Sequence, residues 1–112
     1  MIEEKPANKI LISEIKMPNA DTEYAWAFPQ GCRWFSMHVR DGAAIRIAVE
    51  PSKVANSEPP YFTLKANTAW DERDLVVDAL RGHPLYFACA SAGKVVEVFL
   101  GIYDPKTEVE NA

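Results

Sequence analysis

The chain has 112 residues, 48% of them hydrophobic and 25% charged, and 16 acidic against 12 basic side chains leave a formal charge of −4. One globular domain is expected, because three Trp, four Tyr and five Phe can bury enough apolar surface to offset the chain entropy lost on folding. An acidic chain without a Lys/Arg cluster has few counterions to release from a phosphate backbone, which argues against nucleic acid as a partner, and the best apolar run, 95–102, is broken by Glu97 and well short of the roughly 20 residues that span a bilayer.

Residues 1–9 read as an N-terminal arm, 10–103 as the folded domain and 104–112 as a flexible tail. The arm has no basic stretch followed by an apolar core, so no secretory leader is expected and the chain is expected to fold in a cytoplasm. Cys32 and Cys89 have no Cys-x-x-Cys spacing and are expected as two buried thiols.

Strand signals dominate, since segments rich in Val, Ile, Tyr, Phe, Trp and Thr recur about every ten residues between turn residues. The first strand, 10–17, turns Ile10, Ile12 and Glu14 one way and Leu11, Ser13 and Ile15 the other, and Pro18-Asn19-Ala20-Asp21 ends it. In the second, 23–28, Tyr24, Trp26 and Phe28 share a face and mark a core wall. Strands at 32–40 and 43–50 flank Asp41-Gly42, read as a type I′ hairpin turn with both central residues at positive φ. Alternation there groups Phe35, Met37 and Val39 against Trp34, Ser36, His38 and Arg40. Residues 51–60, with three prolines and little to bury, read as an exposed loop before a strand at 61–65. Between 67 and 83 a turn followed by a strand at 75–78 is favoured over a short helix. Strands at 84–91 and 94–103 read as a second hairpin across Ala92-Gly93. The expected fold is therefore all-β, an antiparallel β-sandwich or jelly-roll-like barrel of about eight short strands.

Chemistry is harder to place. The chain has no Gly-x-Ser-x-Gly elbow, no phosphate-cradling Gly-rich loop, no His-Glu-x-x-His and no Asp-rich calcium loop, so no catalytic, cofactor-binding or metal-binding residue is expected. His38 reads as a strand residue and His83 as a turn residue. Asp71, Glu72 and Asp74, with Arg73 among them, read as a solvated turn. Trp26 is explained by core packing, whereas Trp34 and Trp70 could line a sugar-binding platform, since aromatic faces stack on pyranose rings.

Several strands carry large apolar residues on both faces, and a two-layer sandwich buries only one face of each sheet. The residues left behind the core are Trp34, Tyr86, Val95 and Phe99, which are the candidate interface of a homo-oligomer, a dimer or trimer.

The segments Glu23-Tyr24-Ala25-Trp26-Ala27-Phe28-Pro29-Gln30-Gly31 and 35–48, with Tyr61-Phe62-Thr63-Leu64-Lys65-Ala66, Leu85-Tyr86-Phe87 and Val95-Val96-Glu97-Val98, resemble small β-rich virion proteins of tailed bacteriophages. The resemblance covers roughly residues 10–103 and brings no catalytic residue with it. It implies a virion structural protein, foremost a capsid decoration or cement protein bound to the major capsid protein. A tail or head–tail connector component and a carbohydrate-binding β-sandwich module are the alternatives. Where such proteins often have Gly after the Tyr-x-Thr strand, this chain has Asn67, which tolerates the left-handed conformation.

Overall fold

The computed structural model describes residues 5–73 and 82–106 and is all-β. Its eight strands are β1 (Lys9–Met17), β2 (Tyr24–Ala27), β3 (Cys32–Val39), β4 (Ile45–Ala48), β5 (Phe62–Leu64), β6 (Ala69–Glu72), β7 (Pro84–Ala88) and β8 (Lys94–Ile102). They form two antiparallel sheets, A in the order β1-β8-β3-β6 and B in the order β2-β7-β4-β5. First pairs with last, second with seventh, third with sixth and fourth with fifth, which is the rolled-up ribbon of a jelly roll.

Alternation explains the core. Sheet A turns Ile15, Met17, Phe35, Met37, Val39, Val96, Val98 and Leu100 inward, and sheet B answers with Ile45, Ile47, Leu64, Leu85 and Phe87, all buried. Phe28, just past β2, closes the stack with its ring 4.5 Å from that of Phe35. Tyr24 and Trp26 pack against the same core, as the alternation of the second segment requires.

Neither expected hairpin exists. β3 and β4 lie in different sheets, as do β7 and β8, and among the described residues only β4 and β5 pair as sequential strands. The reason at Asp41-Gly42 is turn type. The Gly42 N–H bonds Val39 O at 2.9 Å, so Arg40 and Asp41 are the central residues, and Gly42, at φ 82°, follows them, while Asp41 is not at positive φ. That is the signature of a type I turn with Gly at its fourth position, and type I turns splay strands where I′ turns pair them. The chain therefore leaves sheet A at Asp41 and enters sheet B at Ile45.

Three other segments differ from expectation. The expected strand at 75–78 lies outside the described residues, whereas β6 forms at Ala69–Glu72, where a turn was expected. Asn67, left-handed at φ 61° and bonded through its N–H to Gly42 O, redirects the chain there, and Trp70, paired with Met37, turns inward against Phe35. Residues 51–60 are not a merely exposed loop, because Val54 is fully buried against Ala48 and Ala88 on the outer side of sheet B. At the chain ends, Asp104 is tied down, its N–H donating to Asn8 Oδ1 at 2.8 Å and its carbonyl accepting from Asn8 Nδ2 at 3.0 Å.

Candidate functional site

Exposed apolar side chains gather in two places, Val49, Tyr61 and Phe62 around the cleft that Trp70 lines, and Ile10, Ile12 and Phe99 on the outer face of sheet A, where a charged network and a second cleft lie beside them. Register carries one row straight across the face of sheet A, Ile12 on β1, Phe99 on β8, Ser36 on β3 and Asp71 on β6. The next row runs from Ile10 past Gly101 to Trp34. Ile10, Ile12 and Phe99 are 60%, 76% and 46% exposed, so three large apolar side chains stand together in water on the β1–β8 half of the face. Such a cluster is the informative exception on a surface where isolated apolar residues mean nothing.

A charged network borders this stripe. Glu14, Glu97 and His38 form the row beyond Ile12 and Phe99. Arg40 donates from Nε to Glu97 Oε2 at 2.9 Å and also bonds Glu14, while His38 Nε2 lies 2.9 Å from Glu97 Oε1. The Arg40 hydrogen bond, then that of His38, holds the Glu97 carboxyl below the usual carboxylate range, and Glu97 and Glu14 raise the Arg40 guanidinium. Farther along, Lys94 Nζ sits 2.5 Å from Asp41 Oδ2, lowering that carboxyl and raising the amine.

Across β8, β3 and β6, Trp34, Ser36, Asp71, Glu72, Arg73 and Phe99 line a cleft of about 400 Å3. Trp34 and Phe99 meet edge to face with ring centroids 5.4 Å apart, a favoured aromatic geometry.

Of the four expected interface residues, alternation along β3 and β8 puts Trp34, Val95 and Phe99 on this one face. Tyr86 is elsewhere. It lies on the outer side of sheet B, packed on the Ala48, Val54 and Ala88 cluster, so the cover that sequence reasoning sought from a second subunit is supplied there by the chain's own 51–60 loop. Arg46 holds that loop, donating from Nε to Val54 O at 2.5 Å and pairing with Asp21 at 2.9 Å. Trp70 packs inward, donates its indole N–H to Glu72 Oε1 at 3.1 Å and lines a different cleft with Tyr61 and Phe62, so of the two tryptophans left open by sequence Trp34 is the one at the cleft on the outer face of sheet A.

Ile10 and Ile12 were missed by sequence reasoning. Their signal was present, since alternation placed both beside Glu14 on the polar side of the first strand, where two isoleucines have no core to join. Cys32 and Cys89 are buried thiols, each bonded to a backbone carbonyl. Among the described residues no group of three or more His, Cys, Asp or Glu is placed to hold a metal ion, and no helix is long and apolar enough to cross a membrane. Comparison with known proteins finds no matching family model, curated protein or solved structure.

Proposed function

We propose that this is a virion structural protein, a capsid decoration or cement protein that binds the major capsid protein as a dimer or trimer through the β1–β8 half of sheet A. The observation that carries the reading is the adjacency of Ile10, Ile12 and Phe99, all exposed, with Val95 on the same face. Burying one such side chain at an interface contributes about 1.5–3 kcal/mol, whereas leaving it in water contributes nothing. The bordering Glu14, Glu97, His38 and Arg40 supply the polar rim that interfaces place around an apolar centre. The jelly roll is used by viral capsid and lectin domains alike, so the fold supports the class without choosing the role. The phage-like strand pattern favours the virion. A protein of this kind stabilises by mass action, binding the assembled lattice and not the unfolded or unassembled subunits.

The test is co-sedimentation of the purified chain with shells assembled from the major capsid protein of the virus that encodes it. Saturable binding that Ile12→Asp abolishes is the expected result. Wild-type protein that stays in the supernatant removes the capsid role, and recovery with isolated tails would reassign it to the tail.

A further inference from the structure

The cleft across β8, β3 and β6 is a second site, and its chemistry is different. We propose that it binds a neutral saccharide ring, with Trp34 and Phe99 as the stacking surface and Ser36, Asp71 and Arg73 as hydrogen-bonding partners of the ring hydroxyls. The two sites share Phe99, but Ile10 and Ile12, on the β1 edge of the face, do not line the cleft, so Ile12→Asp tells the sugar site from the docking role.

The volume, about 400 Å3, falls within the range of small-molecule sites and suits one or two sugar rings. The aromatic wall is rigidly seated, since Trp34 rests on Gly101 so closely that a Cβ there would lie 2.2 Å from the indole Nε1. No side chain at 101 lifts the indole from the sheet. Phe99, half exposed, stands beside it at 5.4 Å. Surfaces of this kind match the apolar C–H faces of pyranose rings.

The polar side decides the ligand class. Asp71 is the register partner of Ser36, and Arg73, two residues further along the chain, also lines the cleft. Among the described residues neither the Asp71 carboxylate nor the Arg73 guanidinium has an ion-pair or hydrogen-bond partner, so acceptors and donors both stand available. Glu72 is already engaged, accepting from the Trp70 indole. Asp71 and Glu72 outnumber Arg73 in the lining, so the cleft opposes an anionic ligand, and an ammonium, having no acceptor, would leave the Arg73 donors unmet. A ring bearing neighbouring hydroxyls, each both donor and acceptor, satisfies the carboxylate and the guanidinium together.

The experiment titrates the full-length protein with glucose, galactose, mannose, N-acetylglucosamine and their neutral disaccharides to millimolar concentration, following the indole N–H resonances by 1H–15N correlation NMR. At least one neutral sugar should shift the Trp34 indole signal and leave that of Trp26 unmoved. Affinity should fall at least tenfold in Asp71→Asn, which keeps the shape of a surface side chain and so the fold, and in Trp34→Ala. Ile12→Asp should bind sugar as the wild type does. Silence of the Trp34 resonance towards every neutral sugar overturns the proposal, as does binding that survives in Asp71→Asn and Trp34→Ala unchanged.

Discussion

Trp34 lies on Gly101 of the neighbouring strand, where an added Cβ would fall 2.2 Å from the indole Nε1 and 2.3 Å from Cε2. A bare glycine backbone is thus the seat of the largest aromatic on the outer face of sheet A. It also brings the edge-to-face contact of Trp34 with Phe99 within reach.

Gly101→Ala should therefore act through Trp34 and not through backbone strain, as Gly101 is not at positive φ. Displacing the indole resembles overpacking, which costs about 1–3 kcal/mol. Chemical denaturation should show a lower midpoint with an unchanged slope, and Trp34→Ala/Gly101→Ala should recover most of the loss. A double variant less stable than the sum of the two singles would place the clash elsewhere.

The turn at Gly42 and the turn at Gly93 give a controlled comparison. Both glycines have positive φ, 82° and 76°, but a Cβ at Gly93 meets nothing within 4 Å while one at Gly42 falls 2.1 Å from Asn67 Oδ1. Gly93→Ala should cost only the left-handed penalty, about 1–2 kcal/mol. Gly42→Ala should cost more by about 1 kcal/mol, the net value of one hydrogen bond, because Asn67 must shift and its N–H bond to Gly42 O loosens. Equal denaturation midpoints for the two variants would show that Asn67 yields freely.

The same turn shows where sequence reasoning stops. Alternation along β3, β7 and β8 placed Phe35, Met37, Val39, Leu85, Phe87, Val96, Val98 and Leu100 on the core side, because side-chain period is a local property that each strand carries alone. Strand pairing is not local. Asp41-Gly42 and Ala92-Gly93 mark tight turns correctly, yet a tight turn can join paired strands or hand the chain from one sheet to the other, and at Asp41-Gly42 it is the φ of Asp41 that separates the two. The site divides in the same way. Trp34, Val95 and Phe99 were legible as apolar residues behind the core, but that they share a face and Tyr86 does not follows from topology alone. Val54 was hidden because one valine among polar and proline residues carries no periodic signal.

Val54 offers a direct check on the cover over sheet B. Its side chain is fully buried, and the carbonyl of the same residue accepts from Arg46 Nε at 2.5 Å. Removing its two methyl groups in Val54→Ala should cost about 1–2 kcal/mol, since each buried methylene contributes roughly 0.8 kcal/mol and a small cavity adds to this. Hydrogen exchange of the 51–60 amides should quicken in parallel. Unchanged stability would mean that the loop lies on sheet B without supporting it.

Acid should act on the outer face of sheet A through Glu97. Its carboxyl is held below the usual range first by Arg40 and second by His38, so the folded state holds that proton less tightly than the unfolded chain. The stability this contributes is present above the ordinary carboxylate range and is lost as pH falls through the depressed folded value. Arg40→Ala should raise the Glu97 pKa part of the way back, with His38 still in place, and Arg40→Ala/His38→Ala should restore it to the usual range, both read from the side-chain carboxyl 13C shift. The wild type should exceed Arg40→Ala in stability most at neutral pH, and the two should converge in acid and in high salt, which screens exposed pairs. A gap between them that stays constant from neutral pH into strong acid would mean that Arg40 supports the sheet through its aliphatic stem and not through its charge.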